Sequence, residues 1–150
     1  MRSRRCSRPA ANMVEFAIIA PITFLLLIGL LVGGLGVFRY HQIAYLAREA
    51  SRWASVHGAQ YAQDTKNAAA TPADVYDNVI KPDATGLDLT QLTYSVTWNS
   101  SNSQDHTATV NGNTVKVANT VTVTINYNWI PEAYLPGGTM TSTSVCTMSY

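Results

Sequence analysis

Charged side chains are thinly spread along this 150-residue chain, in which 13% of the residues are charged. The histidines are His41, His57 and His106, and none stands at metal-ligand spacing from a Cys, Asp or Glu. Serines and threonines are abundant, but they form no Gly-x-Ser-x-Gly or Ser-x-x-Lys motif, and there is no phosphate-binding Gly loop. We therefore predict a protein that is not an enzyme, with no catalytic residue, no metal, no cofactor and no small-molecule substrate.

Two groups of carboxylates require an explanation. Asp74 and Asp77 lie three residues apart near Pro72, where a short helix start or a solvated loop explains them better than acid-base chemistry. Glu15 lies between Val14 and Phe16, next to the start of an apolar run, and an ionised carboxylate in lipid is costly unless it is paired or close to the interface. Two interpretations of Glu15 follow from the residues: a carboxylate at headgroup level, or one that pairs with a positive group on a neighbouring subunit.

The cysteines, Cys6 and Cys146, lie on opposite sides of the apolar run, so they cannot pair within one chain if that run spans a membrane. Cys6 precedes the run, unlike a lipoprotein cysteine, and we interpret it as incidental. For Cys146 three states stay open: a free thiol, an intermolecular disulfide, and a buried thiol in the last strand.

The apolar run covers residues 17–38, 22 residues without an ionisable side chain. As a helix rising about 1.5 Å per residue it would match a bilayer core. The first ten residues hold four arginines and no acid, which predicts a cytoplasmic N-terminus and the remaining mass on the far side of the membrane. The chain has no long basic run, and we expect no nucleic-acid partner.

Within this run, Pro21 is expected to kink the helix without breaking it, because in lipid a freed backbone group has no water to bind. Gly29 and Gly33 form a Gly-x-x-x-Gly pattern, which lets a second helix approach closely.

Residues 39–63 continue the helix, and their apolar side chains predict a stripe that packs on a soluble domain. The stripe comprises Ile43, Leu46, Ala47, Ala50, Trp53, Ala54 and His57. We interpret this aromatic and alanine stripe as a packing face and not as a binding site. Residues 64–90, with Pro72, Pro82 and Gly86, are predicted to be turns and loops.

From Leu92 onward the apolar period changes from that of a helix to two, which predicts strands. Strands are expected at 92–98, 107–110, 114–118 and 121–129, with a final antiparallel strand at 139–150, a polar loop at 99–106 and a tight turn at Asn111-Gly112. The predicted fold class is α+β, a long N-terminal transmembrane helix that continues into a soluble amphipathic helix packed on a small antiparallel sheet. The predicted domains are a basic leader at 1–10, a transmembrane helix at 11–38 and an extracytoplasmic α+β domain at 39–150.

The N-terminal segment reads RPAANMVEFA from Arg8, followed by IIAP and a leucine run. It resembles the TadE-like family, the minor pilins or pseudopilins of the tight-adherence (Flp, type IVc) pilus and secretion apparatus. In that family a basic leader ends in a small residue, usually Gly, and a Glu followed by Phe or Tyr lies at the fifth and sixth mature positions. The resemblance covers residues 8–53, including the AREASR segment from Ala47.

This resemblance implies that a prepilin peptidase cuts between Ala10 and Ala11, which makes Glu15 the fifth mature residue. Ala10 stands where Gly is usual, but its small size is preserved. The new amine of Ala11 would then supply a positive group for Glu15 of a neighbouring subunit. The implied location is the bacterial inner membrane, and the implied partners are other pilin-like subunits, the peptidase and the tight-adherence secretion machinery.

Other hypotheses stay open beside pilus assembly. One is a signal-anchored envelope protein whose β domain binds a surface ligand, with no pilus involved. Another is a Sec or Tat secreted protein, since Ser3-Arg4-Arg5 resembles a twin-arginine start, although the apolar run is long for a signal and no clear Ala-x-Ala cut follows it. Whether a pilin-like subunit would enter the filament or stay in a membrane priming complex is also open.

Overall fold

A computed structural model describes residues 9–131 and 137–150, with side chains from residue 12 onward. The chain forms a long helix, several short helical segments and two small antiparallel sheets, so the predicted α+β fold class is confirmed. The helices are α1 (Pro9–Val56), α2 (Ala59–Thr65), α3 (Pro72–Val75) and α4 (Lys81–Asp83), with a π-helical turn (Tyr76–Ile80) between the last two and a 3-10 turn (Leu89–Gln91). The strands are β1 (Leu92–Trp98), β2 (Asp105–Val110), β3 (Asn113–Ala118), β4 (Thr120–Trp129) and β5 (Gly138–Thr147).

Helix α1 runs without interruption through 48 residues, and Pro21 lies inside it. Its large apolar side chains are exposed from Met13 to Leu31, and the first one buried by the rest of the chain is Val32. At about 1.5 Å per residue this projecting part is roughly 30 Å long, the thickness of a bilayer core. Within the described chain, the segment Asn12–Val56 is long and apolar enough to cross a membrane.

The main sheet has the order β1-β4-β5, and both pairs are antiparallel. Strand β4 is central, and its side chains alternate between buried and partly exposed positions, as period-two patterning predicts. The inward-facing side chains of β4 pack with the buried stripe of α1, where small alanines let the helix approach the sheet closely. The buried residues are Val121, Val123, Ile125 and Tyr127 on β4, and Ile43, Leu46, Ala47, Ala50 and Ala54 on α1. The predicted packing of helix on sheet is confirmed, although Trp53 and His57 of the predicted stripe are only half-buried.

The short helix start considered for Asp74 and Asp77 is confirmed, but the prediction of turns and loops for the rest of residues 64–90 is wrong in part, because Pro72–Val75, the π-helical turn and α4 make a continuous helical segment. Thr71 starts it with a capping box, in which its hydroxyl accepts from the Asp74 amide while the Asp74 side chain accepts from the Thr71 amide. Three apolar side chains of this segment are buried in the core: Val75, Val79 and Ile80. Pro72, interpreted as a turn or loop residue, lies in the first turn of this segment, where a missing N–H costs little, and Pro82 lies next to its last residue, Asp83.

The prediction that the helix continues to residue 63 is also wrong, because α1 ends at Val56 and α2 begins only at Ala59. At Gly58 the backbone passes so close to its neighbours that an added Cβ would overlap the carbonyl oxygens of Asn102 and Tyr150. The amide of Ala59 donates to the carbonyl oxygen of Asn102 at 2.8 Å. The break therefore allows the end of the helix to join two segments that are distant in sequence.

The C-terminal residues complete this junction. Strand β5 ends at Thr147, three residues before the predicted end, and the amides of Ser149 and Tyr150 donate to the carbonyl of Ser55 on α1 at 3.0 and 3.2 Å. The hydroxyl of Tyr150 donates to Asp64 on α2 at 2.6 Å, and this bond raises the pKa of Tyr150.

Strands β2 and β3 form a separate two-stranded sheet. Their turn has positive φ at Asn111 (52°) and Gly112 (79°), as the predicted tight turn requires. Strand β2 begins at Asp105, two residues before the prediction, because Asp105 and His106 pair with β3 and are not loop. Asn119, fully buried after β3, fixes the base of this hairpin: its amide nitrogen donates to the Ser103 carbonyl at 2.8 Å and its oxygen lies 2.7 Å from Nδ1 of His106.

Candidate assembly site on the membrane helix

The predicted assembly carboxylate, Glu15, lies on the projecting part of α1, and its side chain is exposed. Within the described part of the chain Glu15 has no hydrogen-bond or ion-pair partner. Among the described residues the charge is left to a headgroup, to solvent or to another subunit, so both interpretations of Glu15 remain.

The predicted cleavage site lies at the start of the same helix. Ala10 and Ala11 belong to α1, while the leader residues 1–8, including Cys6, lie outside the described part of the chain. Cleavage between Ala10 and Ala11 therefore stays a prediction.

The glycines of the Gly-x-x-x-Gly pattern are uncovered. A Cβ added at Gly29 or Gly33 would meet no atom within 4 Å in the described chain. At about 3.6 residues per turn, Glu15 and Gly33 are about five turns apart and share one face of the helix, with Gly29 close to that face and Pro21 on another. The carboxylate of Glu15 and the two glycines therefore lie along one face of the helix. The predicted role of Pro21 in helix packing stays a prediction.

One functional contact of the membrane helix was missed from the sequence, the packing of Gly36 against Trp129. A Cβ at Gly36 would lie 3.0 Å from Cη2 of the Trp129 indole, so a larger residue would require this ring to shift. The alternating pattern of β4 contained the information needed to predict this contact. Trp129 continues the inward-facing series that begins at Val121, and the inward face of the sheet packs on α1, so its ring is expected to meet the helix. This contact fixes the sheet domain to the helix close to the point where the projecting part begins.

Two further contacts anchor the domain to α1 near this point. Nη1 of Arg39 donates to the carbonyl of Gly86, and Nε2 of Gln42 donates to the carbonyl of Thr85 at 3.0 Å. On the side of α1 opposite the buried stripe, the side chain of Tyr45 is about half exposed. One side of this helix is therefore covered by the chain's own sheet, and the other is left open along its length.

Groups that could bind a metal or form a covalent cross-link are scarce in the described residues. No three His, Cys, Asp or Glu side chains there are grouped closely enough to hold a metal ion. Cys146 is half-buried on β5, packs against the core and forms no disulfide within the described chain. The three states predicted for its thiol all stay open.

These features define a class, an α+β protein whose sheet domain is carried by one helix of membrane-spanning length. Residues 11–52 match the model of the family described as TadE-like protein. The resemblance predicted from the N-terminal residues is thereby confirmed over almost all of α1, and the match stops before the sheet domain. A comparison with curated proteins gave no match, and neither did a comparison with solved structures.

Proposed function

We propose that this chain is a processed, pilin-like subunit of a tight-adherence pilus, anchored in the bacterial inner membrane. One observation carries the proposal: the TadE-like match at residues 11–52 falls on the helix whose apolar part, up to Leu31, is left uncovered by the rest of the described chain. An apolar helix of this length needs lipid or other helices around it. A subunit that moves from the membrane into an assembly of helices uses both environments.

The orientation in this proposal rests on charge. The four arginines among the first ten residues hold the N-terminus in the cytoplasm, and the sheet domain lies on the far side of the membrane. Removal of the leader between Ala10 and Ala11 then creates an amine at the start of the apolar helix. This amine and Glu15 are opposite charges at the same end of the molecule.

The proposed assembly step is a pairing between Glu15 of one subunit and the Ala11 amine of the next. Four residues separate the two groups, so neighbouring helices shifted by roughly 6 Å along their axes bring amine and carboxylate level. Either charge alone is penalised in lipid, and pairing offsets that cost. The line of small residues at Gly29 and Gly33 lets the same face of the helix approach a neighbour closely.

Deletion of the chain in its host tests the proposed function. We expect pili to disappear or become rare, because an assembly that needs this subunit cannot start or extend without it. We also expect that the full chain, tagged after Tyr150 and cross-linked in membranes, co-purifies with other single-helix pilin-like proteins. Normal piliation in the deletion strain, together with isolation of the tagged chain alone, would instead favour the envelope-protein hypothesis.

A further inference from the structure

A cavity of about 550 Å³ lies at the end of α1 that is distant from the membrane segment. It opens between the junction of α1 with α2 and the helical segment that starts at Pro72. Its volume falls in the range of roughly 300–1,000 Å³ that small-molecule sites occupy. Trp53 lies on the wall of this cavity, about 30 Å along α1 from Val32. A ligand bound there would therefore lie well outside the exposed apolar part of α1.

Three aromatic rings form one wall of the cavity. Trp53 and His57 are stacked, with ring centroids 3.9 Å apart and an angle of 13° between the planes, and Tyr61 follows at 4.6 Å from His57. Nδ1 of His57 lies 2.8 Å from the carbonyl of Trp53, and because a carbonyl can only accept, this nitrogen carries the proton. The aromatic wall is therefore held in place before any ligand arrives.

Asp74 and Asn78, one helical turn apart, line the cavity with polar groups that are only partly used. Oδ2 of Asp74 accepts from the amide and the hydroxyl of Thr71 at 2.9 and 2.7 Å, and Oδ1 has no partner among the described residues. These bonds lower the pKa of Asp74, so its carboxylate stays an acceptor. Nδ2 of Asn78 donates to the Asp74 carbonyl at 2.8 Å, which leaves its Oδ1 and one N–H available.

The charge of the cavity limits what it can bind. Its lining holds one carboxylate and the amides of Asn67 and Asn78, and no Lys or Arg, so an anion would meet no cation there. A purely apolar ligand would make no use of the hydrogen-bonding groups of Asp74 and Asn78, which stay open to water. A sugar ring presents a C–H face that stacks on an aromatic ring and hydroxyls that both donate and accept.

We propose that this cavity binds a neutral saccharide, one or two hexose or N-acetylhexosamine units of an extracytoplasmic glycan. The sugar stacks on the aromatic wall of Trp53, His57 and Tyr61, and its hydroxyls bind Asp74 and Asn78. The proposal does not depend on pilus assembly. It replaces both the sequence-based interpretation of the aromatic stripe as packing alone and the expectation of no small-molecule ligand.

Saturation-transfer NMR on the full chain, purified in a detergent without a sugar headgroup, tests this site. The probes are methyl glycosides of glucose, galactose and N-acetylglucosamine and their β-linked disaccharides, with tetramethylammonium and inorganic phosphate as cationic and anionic probes. We expect transfer to the C–H protons of at least one saccharide and not to the two ions. Transfer to none of the saccharides, or to an ion in preference to them, would overturn the proposal.

Variants locate the binding. Trp53→Ala is expected to weaken saccharide binding about tenfold or more, and Asn78→Ala several-fold, because the first removes the ring on which His57 stacks, and with it part of the aromatic wall, and the second an exposed hydrogen-bonding group. Tyr45→Ala, which removes an exposed ring on the same helix outside the cavity, is the matched control and should bind like wild type. Trp53→Phe keeps an aromatic ring packed against the core, so its binding can be measured if Trp53→Ala does not fold. Wild-type affinity in both Trp53→Phe and Asn78→Ala would show that the saccharide binds elsewhere.

Discussion

Replacing Glu15 with alanine is expected to abolish pilus assembly while the anchor and the sheet domain remain intact. Glu15 is exposed and bound by no other described residue, so its loss removes no contact of the fold. The change makes the helix more apolar, which eases insertion. Without the carboxylate, the Ala11 amine of the neighbouring subunit would enter the assembly unpaired. Pilus counts and co-purification with other pilin-like subunits measure the result.

Three controls separate charge pairing from other causes of the same defect. Glu15→Gln keeps the shape without the charge and should fail like Glu15→Ala, whereas Ile18→Ala removes an exposed apolar group nearby and should assemble. Leader removal must be followed in each variant, because an uncut subunit would fail for another reason. Protease added outside spheroplasts should degrade the sheet domain equally in all of them, which checks insertion and orientation. A cleaved and inserted Glu15→Ala that assembles normally would reduce Glu15 to an interfacial charge.

The second large effect is expected at Gly58, where alanine should destabilise the sheet domain by about 3 kcal/mol, from overpacking and a lost hydrogen bond. The added Cβ would overlap two backbone carbonyls, those of Asn102 and Tyr150, and a backbone cannot move aside like a flexible side chain. The hydrogen bond from Ala59 to Asn102 would be disturbed with it.

Thermal unfolding of the purified full chain, followed by near-UV circular dichroism, measures this effect. For a domain of this size we expect the Tm of Gly58→Ala to fall by more than about 10 °C. Gly138→Ala is the matched control, because a Cβ there meets no atom within 4 Å in the described chain, and it should unfold near the wild-type temperature. Equal Tm values for the two variants would show that the close approach of Gly58 to the backbone of Asn102 and Tyr150 does not contribute to the stability of the sheet domain.

The parts of the fold that the sequence predicted are those with a long and regular apolar period. The 48 residues of α1 and the alternation from Val121 to Trp129 each repeat their pattern several times, so single exceptions do not hide it. The Asn111-Gly112 turn was predicted because its backbone needs positive φ, which few residue types supply.

The parts that were missed depend on contacts between distant segments. The helical segment from Pro72 is short, and its prolines were counted among the turn and loop residues, although Pro72 occupies a helix start. The helix break at Gly58 follows from the approach of Asn102 and Tyr150, which no local pattern shows. The cavity stayed hidden for the same reason, since only tertiary packing brings Asp74 and Asn78 beside Trp53.

The candidate assembly site differs from the cavity in how it was found. Glu15 was identified as a charge at the start of the apolar run, and Ala10 and Ala11 from the resemblance of the segment to the TadE-like family, which the match at residues 11–52 confirms. Their roles concern a cut bond and a second subunit, which the fold of one chain does not contain. The structure adds that Glu15 and Gly33 share a helix face.

The mature N-terminus is the most direct test of this account, because leader removal, the position of Glu15 and the charge available for pairing all depend on it. Mass spectrometry of the protein isolated from host membranes should give a chain that begins at Ala11, with residues 1–10 removed. An intact leader would contradict the proposal and favour a signal-anchored envelope protein, and a cut beyond Phe38 would contradict it in favour of secretion.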